Sequence, residues 1–251
     1  LSSTRILPDE ATLAKLREKT LEVTSKESAD SLYNSARGTQ WFSSVIEALR
    51  SHCGGSEVCM YCSSGEPSQV EHYRPKAVFP ELAFDYENYL WVCGLCNQYK
   101  SNQFPPDTHP HLAQILNPID DNVWEHFYLN EFGELSASLN LSTGAESPRA
   151  VSTFTIVKID RPLIQRRRRQ RFKELQKKVT NTLDKFRRGE ISLADLQGEL
   201  AEWRADCFQA DVPDYFLNGP GRGEEPFRSL LLAVGVTVPE DPNLNESRYT
   251  Q

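Results

Sequence analysis

Two Cys-x-x-Cys pairs, Cys59-Met-Tyr-Cys62 and Cys93-Gly-Leu-Cys96, stand 30 residues apart, and nothing else in the chain restricts its fold as strongly. Four thiolates so spaced can close on one tetrahedral Zn2+. Such an ion has no open position for a substrate, so the site would be structural. The gap is longer than in a simple zinc ribbon, so something of substance must lie between the knuckles. The alternative, four unrelated buried thiols, requires paired spacing to recur twice by chance. Cys53 and Cys207 have no Cys-x-x-Cys partner and read as buried or free thiols. This usage suits a reducing compartment and metal binding better than a disulfide scaffold.

At 251 residues with 39% hydrophobic content, the chain can build one core, or two lobes sharing an interface. No repeat is visible, and no apolar run approaches the roughly 18 to 20 residues of a membrane span. The stretch from Leu1 to Leu16 lacks the basic start, apolar middle and small-residue cleavage site of a secretory signal. The expectation is a soluble, cytoplasmic protein with no membrane partner; the missing initial Met points to a trimmed or engineered start. Charge is strongly polarised. Segment 161–188 holds 12 of the 28 Lys and Arg and 2 of the 35 acids, so it carries +10 against −17 for the remainder.

The first third reads as helices: one starting at Pro8-Asp9-Glu10 with Leu13, Leu16 and Leu21 as its spacing, and one from Ser28 to Ala36. A third follows with Thr39 as cap and Trp41, Phe42, Val45, Ile46 and Leu49 as its apolar face. Pro105 to Pro118 reads as a loop, and residues 119–160 as a small hairpin turning at Glu131-Phe132-Gly133. Val151 to Ile159 fits either a strand or the start of a helix. Asp160-Arg161-Pro162 should open a helix to about Arg188, ended by Gly189, and Ser192 with Asp195 should cap another through about Cys207. Those two should form an antiparallel hairpin, and the polar residues from 237 to 251 a mobile tail.

Between the knuckles run Gln69-Val-Glu-His-Tyr-Arg-Pro-Lys76 and Phe84-Asp-Tyr-Glu-Asn-Tyr-Leu-Trp-Val92, and Asn97-Gln-Tyr-Lys100 follows the second. This frame resembles the HNH nuclease family. There, an acid-His pair ends a first strand, an Asn precedes the second Cys-x-x-Cys, and Cys-x-x-Cys-(His/Asn)-x-x-Lys opens a helix. With Asn97 at the third family position, the chain resembles an HNN variant. The fold class expected is α+β: helical flanks around a central zinc-stapled ββα-metal module. Its strands would be Gln69 to His72 and Tyr89 to Val92, and its helix Gly94 to about Gln103.

The resemblance implies a role for each residue. His72 would be the general base, an imidazole of ordinary pKa about 6.5 able to take a proton from water. Glu71 and Asn97 would offer oxygen ligands to one catalytic Mg2+ or Mn2+, distinct from the zinc on Cys59, Cys62, Cys93 and Cys96. Asn88 would hold the loop that orients the imidazole. Lys100, Arg74 and Lys76 would reach substrate phosphates, or else be solvated surface cations. Adjacent strand residues point to opposite faces, so Glu71 and His72 can share a metal only if the strand ends or bends near Pro75. His52, His109, His111 and His126 lack such a frame, although His109 and His111 could approach substrate.

Residues 37–175, including LNPIDDNVWEHFYLNEFGEL and TIVKIDRPLIQRRRRQ, are similar more loosely to the HNH nuclease subunit of Septu-type and retron-associated antiphage systems. That resemblance implies DNA cleavage alongside a partner ATPase; this chain has no GxxxxGK[ST] loop, so any nucleotide dependence would have to come from another subunit. Cleavage of tRNA or other RNA is a second reading, and a non-catalytic zinc module binding nucleic acid or protein a third. The arginine-rich helix could grip nucleic-acid backbone or dock on an acidic face. The expected division is 1–52 helical, 53–118 the nuclease module, 119–160 the hairpin region, 161–236 helical with the basic helix, then the tail.

Overall fold

The structure is a computed structural model that describes residues 5–53, 57–64, 66–106, 109, 111–130, 132–205 and 212–238. Cys207 and the tail from 239 lie outside the described residues. The chain is α+β, with helices around two antiparallel two-stranded sheets. Its buried hydrophobic residues form one cluster reaching from Leu16 to Val238.

Helix α1 (Glu10–Glu22) is capped by Asp9, whose carboxylate accepts from Thr12 N and from the Ser44 hydroxyl. Leu16 is buried, but Leu21 is 86% exposed, so the expected leucine spacing does not make a single face. Helix α2 (Lys26–Ala36) starts before Ser28 because Ser25 and Ser28 form a capping box. In α3 (Gln40–His52) the Phe42, Val45 and Leu49 side chains are buried. Thr39 does not cap it: its hydroxyl turns back to Ala36 O at 2.6 Å.

Strands β1 (Gln69–His72) and β2 (Tyr89–Val92) pair antiparallel, with Glu71 opposite Leu90 and His72 opposite Tyr89. Opposed residues share a face. One face therefore carries Gln69, Glu71, Leu90 and Val92, and the other Val70, His72, Tyr89 and Trp91. Helix α4 (Gly94–Lys100) covers the first face, and α2 and α3 the second; every residue of β2 is buried in consequence. The helix stops short of Gln103 because Ser101 leaves it at φ 46°.

Strands β3 (Phe127–Leu129) and β4 (Leu135–Ala137) make the second hairpin. Its turn needs glycine at position 133, where φ is 77° and a Cβ would stand 2.6 Å from Phe172 Cβ. The open segment resolves as α5 (Pro148–Val157), capped by Ser147 on Ala150 N. Helix α6 (Pro162–Arg187) begins without a side-chain cap, so Asp160 does not serve as one. Helix α7 (Leu193–Ala205) does start on the reciprocal Ser192–Asp195 bonds. Lys178 lies over Trp203 and Thr182 bonds Glu199, the pairing of an antiparallel helix hairpin. Helices α8 (Val212–Leu217) and α9 (Phe227–Ala233) stack Phe216 between Phe172 of α6 and Phe227. Among the described residues no helix is long and apolar enough to cross a membrane.

Candidate active site and cysteine cluster

The ligand atoms of Cys59, Cys62, Cys93 and Cys96 all lie within 4.8 Å of one another, close enough to bind a metal such as zinc. Local backbone pairing brings them together. Met60 N donates to Trp91 O at 3.0 Å, which zips the first knuckle onto β2 just before the second knuckle opens α4. Burial holds the Cys59 thiol above its ordinary pKa, whereas hydrogen bonds from Cys59 and Cys62 hold Cys93 below it, and a bound cation would displace the protons that remain. The arginine helix reaches the cluster from the far side. Arg161 Nη2 stands 3.5 Å from Cys96 Sγ, and Arg168, 4% exposed, donates to Cys62 O at 3.1 Å and Ile159 O at 2.7 Å.

His72 ends β1 inside an aromatic cage. Its ring meets Tyr33 of α2 at 4.6 Å and Tyr89 at 5.1 Å between centroids. Nε2 lies 2.9 Å from Ala83 O, which also accepts the Tyr89 hydroxyl at 2.7 Å. A nitrogen facing a carbonyl must carry the hydrogen, so the neutral ring keeps its lone pair on Nδ1. Burial lowers the imidazole pKa to about 4, partly opposed by the Ala83 bond, and the ring is neutral at pH 7.

Glu71 points the other way. The chain stays in register through His72, and Tyr73 N still bonds Asn88 O, so the bend needed to bring Glu71 and His72 to one ion does not occur. Instead Glu71 Oε1 takes the ammonium of Lys100 at 2.6 Å, and that ammonium also donates to His72 O at 2.7 Å. Lys100 is fully buried, so the expectation that it contacts phosphate is corrected: it holds α4 to β1. Burial pushes the Glu71 carboxyl up and the Lys100 ammonium down, and their mutual attraction opposes both. Asn97, the other expected ligand, donates its amide to Gln69 Oε1 at 2.6 Å. An ammonium already stands at Glu71, and Asn97 is turned to Gln69. These donors do not fit a ready-made Mg2+ or Mn2+ site.

Asn88 holds the backbone that follows His72. Its side chain clamps the backbone of Arg74, accepting from Arg74 N at 2.7 Å and donating to Arg74 O at 2.9 Å, with a further bond to Leu82 O. The Arg74 side chain is exposed. Lys76 pairs with Asp30 of α2 and lies over the Tyr33 ring. His109 accepts from His111 N and Leu112 N and so shapes its own turn, while His126 bonds Ser147.

Four contributors escaped sequence reasoning: Tyr33 against His72, Asp30 on Lys76, the Ala83 carbonyl, and Arg168 behind the cysteines. Tyr33 and Asp30 lie one turn apart on α2, but nothing in their spacing names His72 as the contact of the first or Lys76 as that of the second. No protein-family model matches the chain, and no curated protein matches it.

Proposed function

We propose that this chain is an HNH-type endonuclease that hydrolyses phosphodiester bonds of DNA, built around a structural zinc on the four cysteines. The observation that carries it is the tautomer of His72. With Nε2–H held by Ala83 O, Nδ1 is the one basic atom left to the ring, and burial keeps it unprotonated at neutral pH. Such an atom accepts a proton from water as the oxygen attacks phosphorus, and the 3′ oxygen leaves with the P–O bonding pair and takes its proton from solvent. Asn88 fixes the loop after His72, and Arg74 exposes a guanidinium beside it for the phosphate. Tyr33 and Tyr89 both pack on the ring and it is buried, so substrate gains Nδ1 only when this cage opens. No step here runs through a divalent ion, since Glu71 is held by Lys100.

The loose likeness to Septu-type and retron-associated subunits supports an antiphage role with a partner ATPase supplying nucleotide dependence. RNA is the alternative polymer. One observation favours a second reading, a non-catalytic zinc adaptor: His72 is only 5% exposed, as a core histidine would be.

The test is cleavage of plasmid DNA, linear DNA and bulk tRNA by wild type and His72→Ala. Each is run with EDTA, Mg2+ or Mn2+, and with and without an ATPase encoded beside it. Cleavage lost in a folded, zinc-loaded mutant supports the nuclease and identifies its polymer. Equal behaviour of the two proteins under all conditions leaves the adaptor.

A further inference from the structure

The run Arg166-Arg-Arg-Arg169 does not act as one basic stripe, because successive helical residues point in different directions. Arg168 turns inward onto Cys62 O, and Arg169 pairs with Glu134 at 3.1 Å. Arg167 and Arg171, one turn apart, lie on either side of Arg168 and face the loop after the first knuckle. Arg167 Nη1 stands 3.3 Å from Ser64 Oγ, and Arg171 Nη1 3.5 Å from Ser63 O. Together Val58, Ser63, Ser64, Arg167, Arg168 and Arg171 line a cavity of about 240 Å³. A single water needs only about 10 to 15 Å³ measured this way.

We propose that this cavity is a phosphate-binding site. Arg167 and Arg171 bring two guanidiniums, and Ser63 and Ser64 two hydroxyls, to one cavity, and forked N–H donors match phosphate oxygens. Arg168 spends both terminal nitrogens on the carbonyls of Ile159 and Cys62, so it ties the helix to the knuckle and holds the arginines on either side of it in place, which lowers the cost of ordering a ligand there. The remaining chain is strongly acidic, so a polyanion is repelled elsewhere and drawn to the place where positive charge is concentrated. The phosphate comes either from a nucleic-acid backbone or from a free nucleotide. The site lies behind the cysteine cluster, on residues other than those assigned to catalysis, and does not depend on the nuclease reading.

The test uses full-length, zinc-loaded protein and the paired variant Arg167→Ala/Arg171→Ala, which spares the structural Arg168. Fluorescence anisotropy with a labelled DNA duplex and a labelled single strand is followed across salt. Thermal shifts are recorded with inorganic phosphate and AMP. A roughly tenfold weaker Kd and a salt slope lower by about one to two in the variant assign the cavity to backbone phosphate. Stabilisation of wild type but not the variant by phosphate or AMP, without a change in DNA binding, assigns it to a free nucleotide. Arg169→Ala removes one positive charge beside the cavity but not in it, and should change neither readout. Equal loss in that control, or no effect of the paired variant on any probe, overturns the proposal.

Discussion

The phenol ring of Tyr33 meets the imidazole of His72 edge to face at 4.6 Å, and in doing so α2 roofs the ring proposed to do the chemistry. Tyr33→Ala should uncover it. Loss of a buried aromatic costs about 3 kcal/mol, readable by urea unfolding. The same variant should raise the rate at which diethyl pyrocarbonate acylates His72, mapped by peptide mass, several-fold. An unchanged rate at this residue would mean that something other than Tyr33 shields it.

Acid should destabilise the fold through His72. Its native pKa of about 4 is set first by burial, with Lys76 and Lys100 also lowering it and Asp30 raising it. The unfolded value is about 6.5, so between those two the unfolded chain binds more protons and stability falls as pH falls. The window spans about 3 kcal/mol from this one ring. Urea midpoints followed from pH 7 to 4 should show that slope in wild type and a flatter one in His72→Phe. Parallel slopes in the two proteins would remove the imidazole as their source.

Lys100 and Glu71 form a buried pair, and breaking it from one side strands the other charge. Lys100→Met and Glu71→Gln should each cost about 3 to 5 kcal/mol, whereas Lys100→Met with Glu71→Leu should recover much of the loss. A Lys100→Met protein as stable as wild type, but weaker on DNA, would return this lysine to the substrate.

Metal removal should act at the cysteines. One zinc per chain is expected by elemental analysis, with binding worth on the order of 10 kcal/mol in small zinc domains. Chelation or Cys62→Ser should therefore expose amides of the β1–β2 hairpin and α4 to hydrogen exchange. Full protection of that region in metal-free protein would show that the thiols need no ion to hold it.

Much of this was readable in the residues. Both strands of the first hairpin span the residues that the resemblance led us to expect, and the four cysteines of the two Cys-x-x-Cys pairs converge. What escaped was set by contacts distant in sequence. Parity put Glu71 and His72 on opposite faces, but only the packed structure decides whether a strand bends to reunite them. Lys100 looks like any surface cation until Glu71 is seen beneath it. The arginine run could be predicted to fan out, yet not which member would point at Cys62.

That last contact bears on where the protein can be cut. Residues 53–118 hold every residue that the HNH resemblance singles out, and a minimal fragment would naturally be drawn around them. Yet the carbonyl of Cys62 takes its hydrogen bond from Arg168, more than 100 residues downstream, and Cys96 has Arg161 beside it. An excised fragment would lose both cations and bare the flank of its own cysteine cluster. The smallest piece able to stand alone therefore has to carry the long basic helix with it.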